Sequence, residues 1–177
     1  MPEEPEILQG QQCPVCKEAK ATLTQSEQKI PFGDKEVLVY LYSLTCENCH
    51  YHIADLEFAE QNPPVSYTIE VESEEDMKIR VVKSSEATVK IPGIITIESG
   101  PNSQGYITNI EGLLKRVQNI IEQARDNAED DNDREKANKL LEKLQRIMAG
   151  QEKQKIIIED PTGNSAIISE KAVKRKL

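Results

Sequence analysis

The chain has 177 residues, 37% hydrophobic and 30% charged, with 4% aromatics and no tryptophan, which describes a globular, water-facing protein long enough to bury a sizeable core. Its net charge of −9 repels a phosphate backbone at long range, which leaves nucleic acid only a local basic patch and suits a basic protein partner better. No apolar run approaches the roughly eighteen residues of a membrane span, and Met1 to Gly10 lacks the basic and apolar regions of a signal peptide, so a cytoplasmic protein with no membrane association is expected.

In chain order, the first segment runs from about Ile7 to Gln61 and ends at Asn62, Pro63 and Pro64, where two prolines remove consecutive amide donors. This places a domain boundary there, with a first domain over 1–62 and a second over 63–177. Within the first, Glu36 to Leu44 is rich in β-branched and aromatic residues and leads straight into a cysteine pair, so strands connect the two pairs. From Val65 to Ile97 a period of two recurs at Tyr67, Ile69 and Val71, at Ile79 and Val81, at Ala87, Val89 and Ile91, and at Ile95 and Ile97; these read as short antiparallel strands.

The period then becomes helical. Ile110, Leu113, Leu114, Val117, Ile120, Ile121 and Ala124 share one stripe, and Thr108 with Glu111 forms an expected capping box. Ala137, Leu140, Leu141, Leu144, Ile147 and Met148 form a second stripe, with Gly150 placed as its C-terminal cap. The acidic stretch Glu129 to Asp133 reads as a solvated connector, giving an antiparallel helical hairpin over about 109–149. Strand pattern returns in Lys155 to Glu159 and Ser165 to Ser169, and Asp160 to Asn164 reads as a tight turn between paired strands. Strands after the hairpin need partners from before it, so the helices are an insertion into a β-domain. The closing Lys171, Lys174, Arg175 and Lys176 read as a hydrated, mobile basic tail that, with the cysteine knuckles, gives some support to an RNA contact.

The chemistry concentrates in the cysteines. Cys13-Pro14-Val15-Cys16 and Cys46-Glu47-Asn48-Cys49 each set two thiolates at the spacing one tight turn can aim at a single tetrahedral ion, and no cysteine is left over. One structural zinc ion held by Cys13, Cys16, Cys46 and Cys49 is therefore expected. Four thiolates close the coordination sphere, so the metal would stabilise a fold and present a surface without activating water. Lys17 and His50 stand where glycine often relieves a positive φ, and His50 and His52 read as solvated in preference to ligands. A thiol-disulfide role for Cys13 and Cys16 needs a buried strand and a helix N-terminus, and only a polar dozen residues precede Cys13. No nucleotide loop, HExxH or nucleophile setting is present, so a binding protein is expected in place of an enzyme.

Beyond the double knuckle, the chain carries Asp76, Arg80-Val81-Val82-Lys83-Ser84, Ile91-Pro92, Gly105-Tyr106-Ile107-Thr108, Glu111-Gly112-Leu113-Leu114 and Asp160-Pro161-x-Gly163-Asn164-Ser165. In this order and spacing the motifs resemble the ZPR-one zinc finger family over nearly the whole chain, with one zinc finger and one β-domain, as in the single-copy forms typical of archaea. The resemblance implies a mainly β fold, in which a four-cysteine zinc ribbon precedes a distorted double-stranded β-helix, or jelly roll, carrying the helical hairpin. It also implies a zinc-dependent adaptor or chaperone for translation elongation factor one-alpha; the alternative is a nucleic-acid-binding zinc ribbon. The motif residues themselves have plainer readings: Arg80, Lys83 and Ser84 as ordinary polar positions of a half-buried strand, and Asp160, Gly163, Asn164 and Ser165 as turn chemistry.

Overall fold

A computed structural model describes residues 4–32, 35–101 and 103–177. The first three residues of segment 1–62, and Gly33 and Asp34 within its expected hairpin, lie outside the described residues. Four strands, β1 (Glu6–Gln11), β2 (Ala21–Phe32), β3 (Lys35–Cys46) and β4 (His52–Phe58), form one antiparallel sheet in chain order. The β2–β3 pair runs in unbroken register from Ala21 opposite Cys46 to Phe32 opposite Lys35, so this hairpin returns the chain from one cysteine pair to the other. Alternation gives β3 two faces: Val37, Val39 and Leu41 pack into the main core, while Tyr40 and Tyr42 lie on the opposite side beside Glu27 and Glu57.

The remaining strands are β5 (Val65–Val71), β6 (Arg80–Lys83), β7 (Thr88–Ile91), β8 (Ile95–Ile97), β9 (Tyr106–Asn109), β10 (Gln154–Asp160), β11 (Ala166–Ile168) and β12 (Val173–Lys176). They build a five-stranded sheet in the order β12-β5-β10-β7-β8 and a three-stranded sheet in the order β11-β6-β9. The architecture is thus mainly β with two helices. Burial alternates along β5 and β10, and their inward residues Val65, Tyr67, Ile69, Val71, Ile156 and Ile158 meet Val81, Val82 and Ile167 of the smaller sheet in one core. Phe32, Val39 and Leu56 from the first sheet belong to that same core.

Strand β10 follows the helices in sequence yet pairs with β5 and β7, which precede them. Helix α1 (Ile110–Asp126) buries Ile110, Leu113, Leu114, Val117 and Ile121, and α2 (Asp131–Met148) buries Ala137, Leu141, Leu144 and Ile147. Ile120, on the edge of the first stripe, is exposed.

The helix start differs from the capping box read from the sequence. Asn109, one residue past Thr108, caps α1 with its side-chain oxygen accepting from the Gly112 amide at 2.8 Å. Thr108 is still in β9, paired with Val81, so its backbone is committed to the sheet. The acidic connector contributes to helix α2: Asp130 is its N-cap, and Asp131 and Asp133 in the first turn pair with Arg134 and Lys136, where negative charge complements the helix dipole. Gly150, at φ 65, closes α2 as expected, with its own amide reaching Ile147 and the next amide, of Gln151, reaching Arg146.

Two further readings are corrected. Strands β10 and β11 do not pair with each other; β11 pairs with β6 in the other sheet, so residues 160–165 carry the chain between sheets. Gly163 there has φ +67, and a Cβ would sit 2.2 Å from the Pro63 carbonyl oxygen. Gly163→Ala should therefore cost about 2–3 kcal/mol in a urea unfolding experiment, combining left-handed backbone strain with a clash against main chain that cannot rotate away. The basic C-terminal segment is also not a loose tail: β12 pairs with β5 from Val173 opposite Thr68 to Lys176 opposite Val65, and Lys171 reaches the Asp76 carboxylate at 2.7 Å.

Candidate metal centre

Each cysteine pair sits in a tight turn closed by backbone hydrogen bonds. The Lys17 amide donates to the Cys13 carbonyl at 3.0 Å and the Cys13 amide to the Glu18 carbonyl at 2.9 Å; the second turn repeats this with His50 onto Cys46 and Cys46 onto Tyr51. The two are tied together where the Glu47 amide donates to the Lys20 carbonyl. Lys17 and His50 do adopt positive φ, 65° and 58°, a conformation that costs a side-chain-bearing residue about 1–2 kcal/mol. The Lys17 ammonium curls back to the Pro14 carbonyl at 2.7 Å across its own turn.

The four Sγ atoms all lie within 4.8 Å of one another, with Cys13 to Cys49 and Cys16 to Cys46 at 3.6 Å. A tetrahedral ion with metal–sulfur bonds of about 2.3 Å requires sulfurs roughly 3.8 Å apart, so this donor set fits one thiolate-binding metal of zinc's size. Cys13 and Cys46 are fully buried, next to Ala21, Leu44 and Tyr51. His50 and His52 lie outside the sulfur cluster; both are exposed, and the His52 Nδ1 is 2.9 Å from the Thr45 hydroxyl.

Crowding divides the thiols electrostatically. Hydrogen bonds from the Glu18 amide, the Asn48 side chain and neighbouring thiols outweigh burial and hold Cys16 down at about 6. The Tyr51 amide favours the Cys49 thiolate, but burial and the three other cysteines push it up to about 11. Four thiolates this close repel one another, and a divalent cation between them would remove that repulsion.

The motif residues that carry the family resemblance occupy the interior of the jelly roll. Asp160, fully buried, accepts from the Ser84 and Ser165 hydroxyls at 2.7 and 2.6 Å, from the Asn164 amide, and from both the amide and hydroxyl of Thr162. Burial opposes ionisation, but these donors hold the carboxyl below its ordinary 3.8. Lys83 is buried too, donating to the Ser84 carbonyl at 2.9 Å, and burial lowers its ammonium below the ordinary value. Of the three polar residues read as ordinary strand positions, only Arg80 is exposed. Asp76 accepts from the Glu72 amide and Lys171, and the Gly105 amide donates to Asp55 of β4 at 2.7 Å, joining the first sheet to β9. Sequence reasoning missed Asp55 and read Lys171 only as part of a hydrated tail; their partners lie 50 and 95 residues away, beyond any local pattern.

A four-cysteine cluster that can bind one metal ion, at one end of a sheet whose other end shares a core with two further sheets and two helices, defines a zinc-finger and jelly-roll protein. Residues 75–176 match the ZPR1 jelly-roll domain. An uncharacterized ZPR1-like protein of Pyrococcus horikoshii is 37% identical, covering 99% of this chain and 80% of its own length. A second, from Methanocaldococcus jannaschii, is 36% identical over 93% of this chain and 83% of its own length. The zinc finger chaperone zpr1 of Schizosaccharomyces pombe is 33% identical over 73% of this chain, which spans 28% of that longer protein. The chain belongs to the ZPR1 family. Its named relatives are zinc finger proteins and a chaperone, and among the described residues no helix is long and apolar enough to cross a membrane.

Proposed function

We propose that Cys13, Cys16, Cys46 and Cys49 hold one structural zinc ion and that the protein is a cytoplasmic, non-enzymatic adaptor or chaperone-like partner of translation elongation factor one-alpha. The observation that carries the metal assignment is the sulfur cluster, with its 3.6 Å separations across the two turns. Bound there, zinc would cross-link the two turns and leave no open coordination position. The partner reading rests on membership of a family that includes a protein named as a zinc finger chaperone, together with a net charge of −9 that suits a basic protein surface. Residues 1–62 and 63–177 are the two domains of this proposal, the first presenting the knuckle surface around Val15, which is 60% exposed.

Affinity purification of the tagged chain from its native cell, with zinc maintained, should recover the elongation factor as a major partner, and chelation before capture should abolish recovery. Recovery of no translation factor under either condition would sink the proposal.

A further inference from the structure

Strand β12, Pro64, and the accessible edges of Phe32 and Tyr67 border a groove of about 650 Å³ between the first sheet and the jelly roll. That volume lies within the range of about 300–1,000 Å³ occupied by ligand pockets. Its floor is apolar and ringed, from Phe32, Pro64 and Tyr67; its wall is cationic, from Lys174, Arg175 and Lys176. All three wall residues are exposed, and among the described residues none of them forms an ion pair. Acidic side chains outnumber basic ones 31 to 22, and Lys78, Lys90, Lys115, Lys139 and Lys153 each have a carboxylate partner, whereas these three adjacent cations stand together without one. The Lys174 ammonium instead stands 5.7 Å from the centre of the Tyr67 ring, an interaction that leaves its charge uncompensated. Pairing with β5 fixes the wall relative to the floor, since Lys174 is opposite Tyr67 and Lys176 opposite Val65.

We propose that this groove binds an acidic segment of a partner protein, with one apolar side chain placed on the Phe32–Pro64–Tyr67 floor and carboxylates against Lys174, Arg175 and Lys176. Charge complementarity selects the occupant. A nucleic acid would extend past three cations into the field of a chain with net charge −9, whereas a short acidic segment meets only the local reversal. A free phosphate would leave the apolar floor unused. The site is separate from the cysteine cluster and does not depend on which protein the knuckles recognise.

The test is fluorescence anisotropy with the full zinc-loaded chain and a labelled peptide of about twelve residues in which aspartate and glutamate surround one phenylalanine and one leucine. Saturable binding is expected at low salt, weakening as salt rises, since exposed charge pairs are screened. The triple variant Lys174→Glu, Arg175→Glu, Lys176→Glu should weaken it at least about tenfold, the accumulated loss of three modest charge contacts. Lys155→Glu, an exposed lysine on β10, should change it less than about twofold. Replacing the peptide's phenylalanine and leucine by serine should also weaken binding. Amide chemical-shift mapping on the parent chain, which needs no variant to fold, should place the peptide at residues 65–67 and 174–176, the two prolines before them having no amide proton. Absence of binding, shifts elsewhere, equal affinity for the serine peptide, or tighter binding of single-stranded RNA by the same cations would overturn the proposal.

Discussion

Cys46→Ser is expected to strip the metal from the protein and to unfold the cysteine end of the first sheet while the jelly roll stays folded. Without an ion, that end is held by very little: its buried residues are Cys13, Ala21 and Cys46, with Cys16, Leu44, Cys49 and Tyr51 packed against them. Structural zinc sites supply an apparent 10–16 kcal/mol or thereabouts to small modules, far more than a few half-buried side chains can replace. The far end of the same sheet has another support, because Phe32, Val39 and Leu56 sit in the main core. Metal analysis should therefore give one zinc per parent chain and less than about a tenth of that in the variant. Hydrogen exchange should show lost protection near Cys13, Ala21 and Cys46 but retained protection near Val39 and throughout β5 and β10. A variant that kept its zinc, or lost protection uniformly, would contradict both the ligand assignment and the view of the sheet as supported at two ends.

Asp160→Ala should have the second largest effect, a loss of about 3–5 kcal/mol at neutral pH, because it strands several buried donors at once. Two hydroxyls, of Ser84 and Ser165, and the amide of Asn164 converge on one of its oxygens, and Thr162 donates twice to the other. The same geometry fixes an acid dependence. Since these donors hold the folded-state carboxyl below 3.8, the stabilisation is fully present above the unfolded value and disappears as pH falls through the folded one. Asp76 acts in the same direction: burial disfavours its charge, but Lys171, the Glu72 amide and Ser73 lower its pKa overall. Urea titrations of the parent from pH 7 to pH 2 should show stability falling in the acid limb below about pH 4, with a shallower fall for Asp160→Asn. Equal slopes for parent and variant would assign the acid sensitivity to other carboxylates.

Asp160 also marks how far the sequence could be read. The cysteine pairs were legible because their spacing is a local property of one turn, and the helices and inner strands because burial imposes a period on the side chains of a single element. The bonds Asp160 accepts from the Thr162 and Asn164 amides were legible as turn chemistry, but its bond to Ser84 was not, because Ser84 lies 76 residues away and only the fold brings them together. Its neighbours suggested a turn joining paired strands, and a turn is present, but one that changes sheets. The error over Lys171 to Lys176 has a different origin. Four charges at a chain end resemble a solvated tail, yet an edge strand needs only backbone pairing on one side and can leave its side chains in water, as Val173 to Lys176 do. The displaced helix cap arose because Thr108 and Asn109 are both good cap residues, and the register of β9 against β6 decides between them.

The order of strands has a consequence for synthesis. Strand β10 lies between β5 and β7, so the centre of the five-stranded sheet is filled by residues that leave the ribosome after both helices. Until Gln154–Asp160 emerge, β5 and β7 have no bridge between them, and their apolar inward faces have no completed sheet to join. The nascent chain can form its first hairpin and its helices early, since their contacts are short-range, but must wait for its last quarter before the jelly roll can close. A protein related to a chaperone thus carries, in its own topology, an interval of exposed β surface during which it would itself benefit from protection.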